Sequence, residues 1–321
     1  MTKIAIIGCG NIAKFHIPAL KKVGITIVAI SGRKNSYNKL LEFSKLNNLD
    51  NCKIFSSSIE LIHSDIWDAL LICCPTKNSL EYLKIACDYK KPILVEKPIN
   101  YQSYNLLPLL KYENIKVAFN RRFYSSVKFA KKFYDTNNIS FIRISIPEKN
   151  NQTIKSGMFP ISIYENSIHI FDLLNYISDK FVFDFSKSLI RQNKYRSIIA
   201  SGSSKKGSLL HLNICFNSSD NFSINIVSDT KKVDLCPIEI ARLYDGLEKI
   251  NPTKKNSIRR YNPIVQNEII ASDIDNLKPG FYEQALNFNK FCKGKFNEAP
   301  TIKDAYNSLK SIEQLYEVQK N

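Results

Sequence analysis

Three side chains that can exchange protons lie close together in the sequence, at Glu165, His169 and Asp172. Glu165 and His169 are four residues apart and His169 and Asp172 are three apart, so a helix would place all three on one face. A carboxylate beside an imidazole fixes the ring tautomer and favours the protonated ring. The spacing indicates an acid–base site, with a satisfied structural network as the alternative.

A lysine follows a short apolar run elsewhere in the chain. Lys97 comes directly after Ile93–Val95, within the tripeptide Glu96-Lys97-Pro98. Side chains at the carboxyl ends of parallel strands point into the ligand crevice of the sheet. Because a proline restricts the residue before it to an extended backbone, the direction of Lys97 is constrained. We expect the Lys97 ammonium group in such a crevice.

A glycine-rich loop, Gly8-Cys9-Gly10-Asn11-Ile12-Ala13, lies between the first apolar run and the first helical stretch. Gly8 allows a tight turn, Gly10 lets the backbone approach a pyrophosphate, and Ala13 keeps helix and strand in close contact. Since the loop follows a strand and opens a helix, it predicts a dinucleotide site in preference to a plain structural turn.

The end of the second expected strand bears on the identity of the dinucleotide. NAD sites usually have an acidic residue there, but this chain has Ser31-Gly32-Arg33-Lys34 and no carboxylate until Glu42. Ser31 could hydrogen-bond a 2′-phosphate, and Arg33 could pair with it. The sequence therefore predicts NADP(H), with NAD(H) as the alternative if Arg33 and Lys34 are ordinary loop residues.

The first 120 residues alternate apolar runs with helical stretches, which predicts an α/β fold with a doubly wound parallel sheet. We interpret residues 1–120 as a Rossmann dinucleotide-binding domain. Strands are expected at Ile4–Ile7, Thr26–Ser31, Asp68–Cys73, Ile93–Val95 and Lys116–Phe119, and the last expected helix is Tyr104–Lys111.

Residues 121–321 show a different pattern, in which apolar and polar residues alternate as in strands with one wet face. They predict a C-terminal α+β domain with an open, mostly antiparallel sheet, for substrate binding and oligomerisation. Residues 251–279 show little periodicity and are expected to form a long surface excursion. Strands are expected at Phe141–Ile146, Ser208–Phe216, Phe222–Val227 and Lys231–Leu235, and helices at Ser167–Ile177, Tyr282–Cys292 and Ile302–Val318.

The amino-acid composition disfavours nucleic-acid-binding, metal-binding and membrane proteins. The 321 residues include 46 Lys and Arg against 29 Asp and Glu, a net charge of +17, but most basic residues are lysines spread along the chain. This distribution favours a solvated surface over a nucleic-acid site. The eight cysteines and four histidines show no metal-ligand spacing, so we expect no metal and reduced thiols. With neither a membrane-length apolar run nor a secretory signal, we expect a cytoplasmic protein.

Several motifs together resemble the Gfo/Idh/MocA family of oxidoreductases, named for glucose–fructose oxidoreductase and inositol dehydrogenase. The resemblance extends along almost the whole chain and is specific for the family but not for a substrate. The motifs that carry it are Gly8-Cys9-Gly10-Asn11-Ile12-Ala13-Lys14-Phe15-His16, Cys74-Pro75-Thr76-Lys77-Asn78, Glu96-Lys97-Pro98, Asn120-Arg121-Arg122-Phe123, Gly280-Phe281-Tyr282, and Pro300-Thr301 with Asp304-Ala305.

The resemblance implies hydride transfer between a nicotinamide and a secondary alcohol or ketone of a sugar or nucleotide-sugar. In that reaction Lys97 would polarise the substrate oxygen, His169 would pass the proton, and Glu165 would orient His169. Two positions depart from the family pattern, because Glu165 replaces an aspartate and Ser167 a glycine. Substrate contacts are expected from Asn120, Arg122, Asp172 and Tyr282. Cofactor contacts are expected from Gly8, Gly10, Asn11, Ile12, Ala13, Ser31, Gly32, Arg33, Cys74, Pro75, Asn78, Glu96 and Lys97.

Two other functions remain open at this point. One is a reductase of a non-sugar carbonyl or imine, and the other is a dinucleotide-binding regulator that has lost catalysis. Intact Lys97 and His169 argue against the regulator. Packing is the alternative interpretation for Arg122 and Tyr282. The resemblance also implies a homodimer or homotetramer, without a nucleic-acid or membrane partner.

Overall fold

A computed structural model describes residues 1–32, 36–149, 157–178, 180–271 and 276–319 of the chain. These residues form two compact units. One unit comprises Met1–Phe123 and Asp273–Lys310, and the other Tyr124–Ser272 and Ser311–Asn321. This partition differs from a single division after residue 120, because Phe281, Ala285 and Phe288 lie in the apolar core of the first unit.

The sheet of the first unit consists of six parallel strands. They are β1 (Lys3–Ile7), β2 (Thr26–Ser31), β3 (Lys53–Phe55), β4 (Ala69–Ile72), β5 (Ile93–Val95) and β6 (Ile115–Val117). Their order, β3-β2-β1-β4-β5-β6, confirms the doubly wound Rossmann sheet. The strand order reverses between β1 and β4, which creates a crevice at the carboxyl ends of these two strands.

Eight α-helices occur among the described residues. They are α1 (Ala13–Lys22), α2 (Tyr37–Leu46), α3 (Ser58–His63), α4 (Thr76–Cys87), α5 (Ser125–Thr136), α6 (Ile168–Ser178), α7 (Phe281–Cys292) and α8 (Ile302–Val318). The helix expected at Tyr104–Lys111 is instead a 3-10 helix, Ser103–Leu109. Pro108 lies inside it and lacks the amide hydrogen that an α-helix would use. No helix in the described ranges is long and apolar enough to span a membrane.

The second unit is built on an eight-stranded sheet. Its strands are β7 (Ile139–Glu148), β8 (Phe181–Arg191), β9 (Lys194–Ser204), β10 (Leu209–Phe216), β11 (Ser223–Ser228), β12 (Lys231–Leu235), β13 (Ile240–Ile250) and β14 (Arg260–Ile270). The order is β14-β13-β12-β11-β7-β10-β9-β8, and every neighbouring pair except β7 and β10 is antiparallel. The mostly antiparallel sheet is therefore confirmed.

Part of this sheet was not expected from the sequence. The prediction of a surface excursion over residues 251–279 is wrong for Arg260–Ile270, which pairs with Ile240–Ile250 as β14. Nearly every residue of β14 is exposed, so the strand lacks the alternation that one buried face imposes. In β7, by contrast, Ile142, Ile144 and Ile146 are buried at every second position, and the pattern is visible.

Candidate active site

A crevice of about 700 Å³ lies at the carboxyl ends of β1 and β4 in the first unit. It occupies the point where the strand order reverses, which is where such sheets bind ligands. The crevice is lined by Ile7, Gly8, Cys9, Gly10, Asn11, Ile12, Gly32, Ser36, Lys39, Leu40, Ser58, Cys73, Cys74, Pro75, Lys77, Asn78 and Tyr82.

The glycine loop has the geometry that a bound dinucleotide needs. Gly8 has a φ of +96°, and a Cβ at this position would lie 2.6 Å from the Cys73 carbonyl oxygen, so only glycine fits. A Cβ at Gly10 would meet no protein atom within 4 Å, because this residue faces the open crevice. Ala13 is fully buried at the start of α1, whose first turn carries no acidic side chain. These residues fit a pyrophosphate at the helix N-terminus.

The end of β2 differs in detail from the sequence-based expectation. Ser31 is fully buried, and its hydroxyl donates a hydrogen bond to Ser58 Oγ at 3.0 Å. Ser58, from the start of α3, lines the crevice in its place, together with Lys39 from α2. Sequence reasoning missed both residues because neighbouring strands and helices bring them to β2. Arg33 lies outside the described residues.

The loop after β4 forms another wall of the crevice. Cys74, Pro75 and Asn78 all line it, and the Asn78 amide donates to the Pro75 carbonyl oxygen at 2.9 Å as α4 begins. Burial raises the pKa of the Cys9 thiol to about 12 and that of Cys74 to about 11. These thiols stay protonated near neutral pH, so they contribute surface rather than nucleophiles.

The residues after β5 are held by a contact between the Glu96 carboxylate and the His16 imidazole. Glu96 Oε1 lies 2.7 Å from His16 Nε2, and Glu96 Oε2 accepts a hydrogen bond from the Lys97 amide at 3.1 Å. The Glu96 amide donates to the Ile72 carbonyl oxygen at the end of β4, which brings this segment beside the crevice. The Lys97–Pro98 peptide bond is cis. Glu96 therefore links α1 to the backbone of Lys97, and its contact with a cofactor stays a prediction.

Two of the residues expected to bind substrate anchor the segment 276–310 within the first unit, and their contact with a substrate stays a prediction. Arg122 Nη2 lies 3.0 Å from Asp304 Oδ1, and Asn120 Nδ2 donates to the Pro279 carbonyl oxygen at 3.3 Å. Burial alone raises the pKa of Asp304, but Arg122 and the Thr301 donors lower it by more, so it titrates below its usual range. Both anchoring residues are buried. Tyr282, on α7, is half-buried with the Lys22 ammonium 5.9 Å from its ring centre.

The acid–base cluster lies on the second unit, but not on one regular helix. Ile163–Ser167 is a π-helical turn that leads directly into α6, which begins at Ile168. His169 is 6% exposed and Asp172 1% exposed, and both lie on α6. Glu165 is exposed on the π-helical turn, so the α-helical spacing expected between Glu165 and His169 does not apply.

A carboxylate absent from every sequence motif contacts this turn. Glu148, the last residue of β7, is 4% exposed and accepts a hydrogen bond from Ser167 Oγ. Burial raises the pKa of Glu148, and hydrogen bonds from Ser167, Lys149 and Asn166 only partly offset this. The sequence offered no local signal for the contact, because Glu148 and Ser167 are 19 residues apart.

The amino-acid sequence is similar to a known protein family and to several curated proteins. Residues 2–115 match the model of an oxidoreductase family with an NAD-binding Rossmann fold. The uncharacterized oxidoreductase YrbE of Bacillus subtilis is 28% identical over 186 residues, which are 54% of this chain and 52% of that protein. Inositol 2-dehydrogenase of Paracoccus denitrificans is 24% identical over 186 residues, 55% of this chain and 54% of that protein. The chain thus spans about half the length of the curated relatives it matches.

A crystal structure extends the similarity of fold to both units. An oxidoreductase from Agrobacterium radiobacter, in complex with NAD⁺, L-tartaric acid and magnesium, has a TM-score of 0.77. It is 14% identical in sequence, and the alignment covers 100% of this chain and 96% of that one. At this identity the similarity shows the fold alone.

Proposed function

Because residues 2–115 match the Gfo/Idh/MocA family of oxidoreductases, we propose that the chain is an NAD(P)-dependent dehydrogenase or reductase acting on CH–OH groups. The observation that carries the proposal is the crevice at the strand-order reversal, with the glycine loop on one side and the Lys97 segment at the next strand end. This crevice offers a fixed backbone for a pyrophosphate, and the backbone before Lys97 is hydrogen-bonded to the end of β4 beside it.

The chain's own residues would hold the dinucleotide along the crevice. Gly8, Gly10 and the first turn of α1 suit the pyrophosphate, since their amides and helix dipole favour negative charge. Ser58 and Lys39 suit the ribose end, and the loop containing Pro75 suits the opposite wall. When bound, the nicotinamide supplies the two-electron redox chemistry of the reaction.

Lys97 and His169 would carry the proton and charge of the reaction. The Lys97 ammonium would stabilise charge on the substrate oxygen, because a fixed cation in a crevice acts more strongly than in water. Glu96 fixes the backbone from which this side chain extends. His169 would transfer the proton, with Glu165 and Asp172 as the carboxylates of the same segment.

We propose NADP(H) as the preferred cofactor. The lack of a carboxylate between Ser31 and Glu42 favours a 2′-phosphate, and the exposed Lys39 ammonium at the crevice adds positive charge there. For the substrate, we propose a sugar or nucleotide-sugar. The similarity to inositol 2-dehydrogenase supports a polyol ring, and the positive net charge suits an anionic ligand.

We also propose that the protein is a cytoplasmic homo-oligomer. All eight cysteines are free thiols, which suits a reducing compartment. Side chains on the outward face of the second unit's sheet include exposed apolar residues on three adjacent strands, which favours burial against another copy. These are Phe185, Leu189, Ile199 and Leu209.

The proposal is tested by replacing Lys97 with methionine. Lys97→Met should reduce turnover of a panel of polyols, aldoses and UDP-sugars by about 1,000-fold or more, while the dissociation constant for NADPH stays within about twofold. Lys84→Met, at an exposed lysine of α4, is the matched control and should retain full activity. A fully active Lys97→Met variant would refute the assignment.

A further inference from the structure

Glu148 is a buried carboxylate for which the proposed reaction has no direct use. Its side chain accepts hydrogen bonds from the Ser167 hydroxyl, the Ser167 amide, the Asn166 side chain and the Lys149 amide. Burying a carboxylate is costly unless hydrogen bonds compensate it. Three of these four donors belong to Asn166 and Ser167.

The two donor residues lie within the acid–base segment itself. Asn166 and Ser167 separate Glu165 from His169, at the point where the π-helical turn becomes α6. A π-helical turn has fewer favourable contacts than a regular helix and persists where its surroundings hold it. Because Glu148 ends β7, its carboxylate ties this irregular turn to a central strand of the sheet.

The contact with Glu148 depends on the side chain at residue 167. The sequence has serine where the family pattern has glycine, and a glycine has no hydroxyl to donate. The serine supplies the hydrogen bond that the buried Glu148 carboxylate accepts. The Ser167 hydroxyl and the Glu148 carboxylate therefore satisfy each other's hydrogen bonding, which allows both side chains to be buried.

From this geometry we infer that Glu148 is a positioning residue for the proton transfer assigned to His169, an inference that rests on the proposed function. It acts through Ser167, by holding the turn between Glu165 and His169 in one conformation. Misplacement of a catalytic group by about 1 Å can reduce a rate by about 100-fold. Loss of the Glu148 contact should accordingly lower kcat without weakening cofactor binding.

The test compares three variants in the intact chain. Glu148→Ala should lower kcat by about 30-fold while KM and the NADPH dissociation constant stay within about twofold. Glu148→Gln keeps an acceptor oxygen of the same shape and should recover most of that loss. Ser167→Ala should lower kcat as well, and combining it with Glu148→Ala should add no further loss, because both remove one contact. Equal losses for Glu148→Ala and Glu148→Gln, or additive losses, would overturn the inference.

A matched control comes from the same strand. Ser145 on β7 donates a 2.7 Å hydrogen bond to Asp220 Oδ2, which is a serine–carboxylate contact outside the acid–base segment. Asp220→Ala should leave kcat within about twofold. A loss as large as that of Glu148→Ala would show that any such contact on β7 matters, and would contradict a specific positioning role.

A second measurement keeps the inference separate from the proposed function. In the NADPH complex, Glu148→Ala should shift the NMR signal of the His169 imidazole and speed amide exchange over residues 163–172 about tenfold, while the His211 signal is unchanged. If the wild type turns over nothing on the panel, the proposed function fails, but these shifts still support the positioning of His169. Unchanged His169 signals and exchange rates in Glu148→Ala and Glu148→Gln would overturn it.

Discussion

In the first unit the candidate site is made by backbone geometry, whereas in the second unit it depends on side chains that are distant in the sequence. The crevice is shaped by Gly8, by strand ends and by the start of α1, and its glycine loop, Gly8 to Ala13, is one short stretch of chain. His169 lies on a segment that begins with an irregular turn and is held by Glu148 from another element. The function of a glycine loop can therefore be inferred from a short stretch of sequence, whereas the position of a histidine that a distant residue holds cannot.

Replacing a glycine in each unit should have the largest effects and tests this difference directly. Gly8→Ala should cost about 3 kcal/mol of stability and weaken NADPH binding at least about 100-fold, since its Cβ would clash with Cys73 and its φ is positive. Gly10→Ala should weaken binding without loss of stability, because its Cβ points into the crevice. Urea unfolding followed by the fluorescence of Trp67, the single buried tryptophan of the first unit, measures stability.

Gly202→Ala is the counterpart in the second unit. A Cβ at Gly202 would clash with the Val182 carbonyl oxygen and would force β8 and β9 apart. NADPH affinity and the Trp67 transition should stay close to wild type. A loss of NADPH binding as large as that of Gly8→Ala would show that the crevice is not determined within the first unit.

The ion pair between Arg122 and Asp304 is a long-range contact within the first unit. Asp304→Asn should destabilise it by about 2 kcal/mol at pH 7, measured again by Trp67 fluorescence. Because the pKa of Asp304 is below its usual range, its stabilisation is complete above about pH 4 and is lost as pH falls through the folded-state pKa. The difference between variant and wild type should therefore shrink in acid. A difference that persists there would assign the effect to packing.

The contact between Glu96 and His16 tests how Lys97 is held. Glu96→Gln should lower kcat by about tenfold, because an amide keeps only one of the two oxygens that contact His16 and the Lys97 backbone amide. His16→Gln should produce a similar loss, and the double variant no more than either. The control is Asp65→Asn, which removes an exposed partner of Lys91 before β5 and should have an effect below about twofold.

The smallest effect is expected at the ribose end of the crevice. Lys39→Gln should raise KM for NADPH about three- to fivefold and leave KM for NADH unchanged, since an exposed cation contributes little in water. Lys45→Gln, on an exposed position of the same helix, serves as the control. Wild-type enzyme that uses NADH more efficiently than NADPH would contradict the proposed preference itself.

Features determined by a short stretch of sequence could be predicted, and features that depend on distant residues could not. The short apolar runs of β1 and β4 are buried on both faces and show the Rossmann sheet directly. The exposed strand β14 has no such pattern and was missed. At the site, the glycine loop was predicted from local spacing. The roles of Ser58 and Glu148 were not, because their partners come from elements far along the chain.

Phe281, Ala285 and Phe288 complete the apolar core of the first unit, yet a ribosome adds them after every strand of the second unit. During synthesis, part of the apolar surface of the six parallel strands stays uncovered until the eight-stranded sheet and then α7 have been translated. Incomplete parallel sheets fold slowly and are prone to aggregate. The order of translation therefore delays completion of the dinucleotide-binding unit until residue 310 has been added, and chaperone supply during expression should affect the yield of native protein.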